Sequence, residues 1–287
     1  MIRSLGIADL DGALRLSIAA NWNQNRDDWR LMLRLGQGFG IEAADDAGVT
    51  QLAASTIVLP YGGGFAWISM VLVLPQFRRR GYAQQLLRFA LIHCAAQGRA
   101  AVLDATPAGH AVYAQEGFVD TWGLARYRCE AIAQSPPQRQ NAPPTRPLRD
   151  SDWPAIAALD TPAFGADRGE VLRALARRWP QAARVAEDSS GGGLRGYVLG
   201  RDGREARQIG PLVAADDAVA RALLADVLDV AEGPLYLDLL DHRSALLPSL
   251  AAAGFALQRR FTRMVHGAAR APGAPSAIAF AAGPELG

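Results

Sequence analysis

A buried strand that runs through an arginine-glycine turn into a helix constrains this chain more than any other segment. Residues 68–74 are apolar and rich in β-branched side chains, which predicts a buried strand that Pro75 ends. Apolar residues recur at helical spacing over 82–96, so a helix is predicted to begin next to Gly81. The unpaired N–H groups of a helix start carry partial positive charge, and Arg78–Arg80 add full charges. The segment is therefore predicted to bind a pyrophosphate.

The same segment resembles the Arg/Gln-x-x-Gly-x-Gly/Ala signature of the GNAT superfamily of acyl-CoA-dependent N-acyltransferases. The matching residues are Arg78-Arg-Arg-Gly81-Tyr-Ala83, preceded by Val73-Leu-Pro75 and followed at the family's spacing by Tyr113-Ala-Gln-Glu-Gly117-Phe118. The resemblance implies a mixed α/β fold and acetyl-CoA as co-substrate. Thr106 stands where many members have Asn at a helix start, and it can still cap that helix or form a hydrogen bond. The residues that the resemblance implies at the cofactor are Val71, Val73, Arg78, Arg79, Arg80, Gly81, Tyr82, Ala83 and Thr106.

The reaction that the resemblance implies is attack of a neutral amine on a thioester, followed by protonation of the departing thiolate. Tyr113 stands where family members often keep a tyrosine that donates this proton, although aromatic packing would also explain it. The position of the catalytic Glu of histone-acetylating members is Trp67 here. No motif determines a general base. Asp104 could act through a water, as could His110 or Glu42, or the enzyme could take a neutral amine from solution.

A second copy of this pattern follows in the chain. A shift of 137 positions carries Ala83-x-x-Leu86-Leu87 onto Ala220-x-x-Leu223-Leu224, and it carries Gly117-Phe118 onto Gly254-Phe255. A shared register over several elements indicates an internal duplication.

The second copy has lost the residues of the arginine-glycine turn. The same shift carries the three arginines onto Ala215, Asp216 and Asp217, and it carries the glycine onto Ala218. Two carboxylates at a helix start suit the helix dipole and repel a pyrophosphate. The second copy is therefore predicted to keep the fold without a cofactor site, with Asp216 or Asp217 as a helix N-cap.

A proline-rich segment separates the two copies. Residues 133–145 contain four prolines and no large apolar side chain, which is typical of an exposed linker. The predicted fold class is α/β, with two tandem GNAT-type folds, each a mixed sheet flanked by helices. The predicted boundaries are a catalytic domain over 1–132, the linker, a degenerate domain over 146–267 and a disordered Ala/Gly/Pro-rich tail over 268–287.

Further segments resemble bacterial tandem-GNAT proteins, whose C-terminal domain is similar to the holothin-acyltransferase-like type. These segments are Trp22-Asn-Gln24, Leu103-Asp-Ala-Thr-Pro107, Ala163-Phe-Gly-Ala-Asp-Arg168 and Ile209-Gly-Pro-Leu-Val213. Each copy is expected to follow the order βααβββαβαββ, with its final strands within 118–128 and 255–265. The resemblance implies a fold and a reaction class without a substrate.

The acceptor site is expected against the first two helices and their loop. Trp22 precedes a polar run, so it is a candidate for stacking on an acceptor. Trp29 is a second candidate, with plain core packing as the alternative. The second copy is expected to supply another wall, and Arg168 is its candidate for reading a charged acceptor, with a surface position as the alternative.

Composition excludes several other classes of protein. All 30 basic residues are arginine, which we interpret as coding bias in a GC-rich bacterium, and the net charge of +2 is too small to indicate nucleic-acid binding. The two cysteines and four histidines show no metal-ligand spacing, so no metal is expected. No segment resembles a signal peptide or a membrane span, so we expect a cytoplasmic monomer or homodimer.

The sequence therefore predicts an acyl-CoA N-acyltransferase whose first domain transfers acetyl to the amine of a small molecule. One alternative is a non-catalytic protein that binds or senses acyl-CoA. A protein N-acetyltransferase is a further alternative, which Trp67 disfavours.

Overall fold

The computed structural model describes residues 1–133, 143–188 and 191–287. The elements of the first half are β1 (Ile2–Leu5), α1 (Leu10–Ala19), α2 (Arg26–Leu35), β2 (Gln37–Ala44), β3 (Thr50–Tyr61), β4 (Phe65–Val73), α3 (Tyr82–Ala96), β5 (Ala100–Ala105), α4 (Pro107–Gln115) and β6 (Val119–Cys129). The two strands expected within 118–128 are thus one strand, β6, and that part of the prediction is wrong.

The second half repeats this order of elements. Its elements are β7 (Thr145–Pro147), α5 (Trp153–Phe164), α6 (Gly169–Arg178), β8 (Arg184–Glu187), β9 (Leu194–Arg201), β10 (Arg207–Ala214), α7 (Asp217–Leu228), β11 (Leu235–Leu240), α8 (Leu247–Ala252), β12 (Ala256–His266) and β13 (Ile278–Phe280). Here too the final pair expected within 255–265 is a single strand, β12. Most of the predicted linker, 134–142, lies outside the described residues.

The two halves share one mixed sheet of 13 strands. Its order is β1-β2-β3-β4-β5-β12-β6-β11-β13-β10-β9-β8-β7. The last strand of the second half, β12, lies between β5 and β6 and pairs antiparallel with both, while β6 pairs with β11 of the second half. Each half therefore completes its part of the sheet with a strand from the other half. The mixed α/β class is confirmed, but the separate sheets expected for the two halves form one continuous sheet.

Reciprocal ion pairs accompany this strand exchange. Arg263 of β12 lies opposite Asp104 of β5 and donates to both carboxylate oxygens at 2.8 and 2.9 Å. Arg126 of β6 lies opposite Asp238 of β11 and donates to both oxygens at 2.8 Å. All four side chains are buried, so removing one partner would leave an uncompensated charge in the sheet.

The pair β4–β5 opens into a cleft. The two strands run parallel and pair only over Phe65–Trp67 and Ala100–Val102, although β4 continues to Val73 and β5 to Ala105. Met70 has a φ of 51°, and the register with β3 shifts nearby, which marks a bulge in β4. The edge of β4 beyond Trp67 thus has no pairing with β5 and faces a cleft.

The equivalent opening in the second half is closed. Strands β10 and β11 pair in parallel over Arg207–Ile209 and Leu235–Leu237, and β13 then lies between them. Phe280 of β13 pairs with Leu212 on one side and Leu239 on the other. The prediction of a disordered tail is therefore wrong, because the apolar run 278–282 within the Ala/Gly/Pro-rich segment is a buried strand and its extension.

Helices cover both faces of the sheet. Leu16 of α1 and Met32 of α2 belong to one buried cluster with Leu72 of β4, whereas Leu86 and Leu87 of α3 belong to another. Among the described residues, no helix is long and apolar enough to cross a membrane.

Candidate active site

The arginine-glycine turn has the conformation of a phosphate cradle. Gly81 adopts a φ of +77° and immediately precedes α3, whose start has no side-chain cap. The backbone N–H groups of the first turn are therefore free of a side-chain partner, and their partial charge favours an anion. A shallow groove at this turn is lined by Val73, Arg78, Arg79, Gly81, Tyr82 and Ala83, with Val112 and Gln115 of α4.

Arg80 lies on the other side of the turn. Its guanidinium stands 5.1 Å from the centre of the Phe77 ring, and it lines a separate depression with Asp45 and Asp46. The expectation that all three arginines face the phosphates is therefore wrong for Arg80. Arg78 and Arg79 are exposed and line the groove.

The groove continues along the open edge of β4 between α3 and α4. Val71, Ala83, Thr106, Val112 and Tyr113 line this middle section. Thr106 is the N-cap of α4 and accepts a hydrogen bond from the Gly109 N–H at 3.2 Å, so the predicted capping role is confirmed. The unpaired edge of β4 adds backbone polar groups to this largely apolar section, which suits the amide-rich arm of a cofactor.

Two hydroxyl groups stabilise the bulge in β4 next to this section. Ser55 of β3 donates to the Met70 carbonyl at 2.8 Å, and Thr56 donates to the Ser69 carbonyl at 3.3 Å. Both hydroxyls are fully buried. Sequence reasoning missed these residues, although two adjacent hydroxyls inside the apolar strand β3 were a usable signal.

Tyr113 stands where the groove meets a pocket between the two halves. Its ring packs edge-on against Phe118 at 5.9 Å, and burial raises the pKa of Tyr113 to about 12. The phenol is therefore protonated at neutral pH. Among the described residues none forms a hydrogen bond with this hydroxyl, so its proton is available to a reacting group.

The inter-half pocket combines three parts of the chain. The first half supplies Asn21, Trp22, Asn23, Gln24, Ile68, Ser69, Met70, Val71, Leu103, Asp104, Thr106 and Tyr113; the strand-exchange region supplies Arg126, Tyr236, Gln258, Arg259 and Phe261; and the tail supplies Pro284 and Glu285. Trp22, Val71, Asp104, Thr106 and Tyr113 line both this pocket and the groove, so the two spaces are continuous. Trp22 is half-buried there, as an acceptor-contacting residue would be.

The structure argues against Asp104 as a general base. Although the residue lines the pocket, its side chain is fully buried and both its oxygens accept hydrogen bonds from Arg263. Burial raises the pKa of Asp104, and Arg263 opposes this effect. The two other bases considered lie elsewhere: His110 pairs with Asp120, and Glu42 pairs with Arg3.

Two of the expected acceptor residues lie in the core instead. Trp29 is fully buried, and its indole donates to Ser17 at 2.9 Å. Arg168 is buried in a bidentate ion pair with Asp160 and also donates to the Gly287 carbonyl. Neither lines the pocket, because helical packing places Trp29 inward and Asp160 draws Arg168 inward. The second half does supply a wall, but through β11, β12 and the tail.

The tail brings a carboxylate that sequence reasoning missed. Glu285 is buried at the pocket; one of its oxygens accepts from Gln24 at 2.7 Å, and the other accepts from Arg201. Trp67, which stands at the position of the catalytic Glu of histone-acetylating members, donates to the Pro284 carbonyl at 2.9 Å. This position is therefore in contact with the tail. Burial raises the pKa of Glu285, and Arg201 opposes this effect.

No cluster of His, Cys, Asp and Glu in the described part of the chain has the arrangement of a metal site. The two carboxylates at the pocket, Asp104 and Glu285, are each paired with an arginine.

Comparison with known proteins places this geometry in a family. The Acetyltransferase (GNAT) domain matches twice, over residues 41–120 and 156–278. The first match contains the arginine-glycine turn and most of the groove, and the second contains β10, α7 and β12. The chain is a tandem protein of the GNAT superfamily, and it is an N-acetyltransferase.

Similarity to known proteins extends along most of the chain. An uncharacterized N-acetyltransferase of Bacillus subtilis (strain 168), YitH, is 26% identical over 247 residues, which is 86% of this chain and 84% of that protein. The structure of a putative acetyltransferase from Pyrococcus horikoshii matches with a TM-score of 0.79 at 21% identity, and the match covers 100% of this chain and 95% of that chain. The structure of a tandem GNAT protein from the clavulanic acid biosynthesis pathway matches with a TM-score of 0.62 at 16% identity, and the match covers 93% of this chain and 98% of that chain.

Proposed function

We propose that the first half transfers an acetyl group from acetyl-CoA to the amine of a small molecule, and that the second half binds no cofactor. The observation that carries this proposal is the continuous groove from the Gly81 turn to the inter-half pocket, with Tyr113 at the junction. A cofactor anchored at the turn would thus present its reactive end to a pocket that both halves enclose.

The residues present fit acetyl-CoA. Arg78, Arg79 and the N–H groups after Gly81 would bind its phosphates, and the open edge of β4 at Val71 and Val73 would pair with its pantetheine arm. When bound, acetyl-CoA supplies an acetyl group activated as a thioester. The groove orients that group towards the inter-half pocket, where proximity replaces a bimolecular encounter.

The chemistry assigned to this chain's own residues is proton transfer to sulfur. The amine nitrogen forms a bond to the acetyl carbon, the carbon–sulfur bond breaks, and the electron pair remains on sulfur. Tyr113 donates its phenolic proton to that sulfur, the amine nitrogen releases a proton to solvent, and the Tyr113 phenolate takes a proton back from solvent. A phenol with a pKa of about 12 is protonated at neutral pH and therefore carries the proton that this step requires.

The test is release of CoA in the presence of a panel of small amines, compared between the wild type and Tyr113→Phe. The variant should lower kcat by about 10²–10⁴-fold and leave acetyl-CoA affinity unchanged. Tyr127→Phe is the matched control, since Tyr127 lies on β6 and does not line the groove or the pocket. Full activity in Tyr113→Phe would leave Tyr113 with a packing role, and no CoA release with any amine would contradict the proposed function.

A further inference from the structure

Among the described residues, one charged side chain at the inter-half pocket has no ionic partner. Its charged lining residues are Asp104, Arg126, Arg259 and Glu285. Within the described ranges, Asp104 pairs with Arg263, Arg126 pairs with Asp238, and Glu285 pairs with Arg201. For Arg259, by contrast, the described residues provide neither a salt bridge nor a hydrogen bond to the guanidinium.

The surroundings of Arg259 favour an anionic partner for its guanidinium. The side chain is half-buried, and its pKa is lowered by burial and by the neighbouring Arg126 charge. Asp238 is the nearby carboxylate, but it already accepts from Arg126 through both oxygens and from Gln208 at 3.0 Å. A guanidinium in such surroundings gains free energy from an anion that enters the pocket.

A second donor in the same wall is also without an acceptor. Tyr236 is 4% exposed, and its hydroxyl oxygen accepts from Arg128 at 2.9 Å and from Gln258 at 3.0 Å. A phenolic oxygen has two acceptor positions and one hydrogen to donate. With Arg128 and Gln258 both donating to it, Tyr236 directs its hydroxyl hydrogen away from these two partners, and no carbonyl or carboxylate oxygen of the described residues accepts it.

Local structure positions the Arg259 guanidinium and the Tyr236 hydroxyl at the pocket. The register of β12 against β6 shifts between Leu257 and Arg259, so Gln258 is the extra residue of a bulge. Bulges re-aim side chains next to functional sites. The Arg126 guanidinium stands 5.0 Å from the Tyr236 ring centre, which fixes the ring.

This wall is separate from the part of the pocket that the cofactor would reach. Tyr236, Gln258 and Arg259 line the inter-half pocket but not the groove, whereas Tyr113 and Val71 line both. An acceptor in the pocket can therefore place its amine near Tyr113 and another group against Arg259.

We propose that the acceptor is an amine that also carries a carboxylate, and that Arg259 and the Tyr236 hydroxyl bind this carboxylate. The inference rests on the proposed function and specifies its substrate class. A guanidinium and a phenol hydroxyl together match the two oxygens of one carboxylate. The amino and carboxylate groups lie on one small molecule, such as an amino acid.

The experiment compares matched pairs of amines that differ only in the carboxylate: lysine with cadaverine, ornithine with putrescine, and β-alanine with ethylamine. For the wild type, kcat/KM should favour the carboxylate-bearing member of at least one pair by about 10–100-fold, as expected for one charge-assisted contact. In Arg259→Gln that preference should fall towards one through a higher KM, and Arg259→Lys should restore part of it. Tyr236→Phe should reduce it by a smaller factor.

Arg260→Gln is the matched control, because Arg260 is the exposed neighbour on the same strand and does not line the pocket. A second arm measures the thermal shift that the same compounds produce, without acetyl-CoA. A carboxylate-dependent thermal shift that Arg259→Gln removes would support the inference even if no amine released CoA. The absence of CoA release would contradict only the proposed function. Equal turnover and equal shifts within every pair, or a preference that survives Arg259→Gln, would overturn the inference.

Discussion

The cleft beside β4 and the cleft beside β10 begin alike and end differently. In each half, two parallel strands pair over three residues and then part. Beside β4 the opening stays free and leads from the Gly81 turn to the inter-half pocket, whereas beside β10 the strand β13 fills it. In the second half, therefore, the chain itself takes the edge that a cofactor would use in the first.

A glycine serves each cleft in its own way. Gly81 permits the left-handed turn before α3, where an added Cβ would make only an ordinary contact at 3.7 Å from the Gln85 side chain. In the second half, a Cβ on Gly210 would come within 2.1 Å of the Ala281 carbonyl oxygen, so Gly210 allows the tail to approach β10. The first glycine serves the backbone conformation alone, whereas the second serves both close packing and a φ of +142°.

The turns after the two clefts also differ in charge. Asp216 caps α7 by accepting from the Val219 N–H at 2.9 Å, which confirms the predicted N-cap, and it pairs with Arg195. Asp217 pairs with Arg243, which also donates to the Ala214 carbonyl. The helix start of the first half presents arginines and N–H groups without a side-chain cap to an anion. In the second half, by contrast, aspartates of the chain itself cap the helix start and pair with the nearby arginines.

The largest expected effect concerns the strand that fills the second cleft. Phe280 is fully buried between β10 and β11, so Phe280→Ala should lower the free energy of unfolding by about 3–5 kcal/mol. Chemical denaturation measures this loss, and Phe89→Ala, at a phenylalanine that is 39% exposed, should cost far less. Equal losses would mean that β13 is not an integral part of the sheet.

The next effect separates two arginines of the first turn. Arg78→Ala should weaken acetyl-CoA binding about 10-fold, because a charge-assisted contact is worth roughly 1.5–3 kcal/mol and Arg78 is exposed. Arg80→Ala should weaken it less, since Arg80 lies over Phe77 away from the groove. Calorimetry on both variants checks this order, and a larger effect for Arg80 would contradict the geometry.

The smallest effect concerns the capped helix of the second half. Asp216→Ala should lower the free energy of unfolding by about 1 kcal/mol, the usual value of an N-cap. Acetyl-CoA affinity should not change. A change in affinity with unaltered stability would indicate that this turn contacts the cofactor after all.

Local patterns in the sequence predicted most of what positions the groove. Helix α3 begins at Tyr82 as predicted, because apolar spacing and a glycine determine a helix start locally. The caps at Thr106 and Asp216 were predicted for the same reason, since a cap depends on residues within one turn.

Long-range pairing could not be predicted in this way. The alternation of β12 is the same whether the strand joins its own half or the other, so the exchange between β5 and β6 leaves no local signal. Composition gave the wrong prediction for the tail, because the three-residue strand Ile278–Phe280 lies in a segment that is rich in alanine and glycine. Consequently, Glu285 and Arg259 could not be assigned to the pocket, and Trp29 and Arg168 could not be excluded from it.

The central claim is that one half binds acetyl-CoA and the other does not, and calorimetric titration tests it most directly. The wild type should bind one acetyl-CoA per chain. Gly81→Val should abolish binding while the chain stays folded, because valine strongly disfavours a φ of +77°, and Ala218→Val at the equivalent position should bind as the wild type does. Two molecules bound per chain, or binding that survives Gly81→Val and fails in Ala218→Val, would contradict the account.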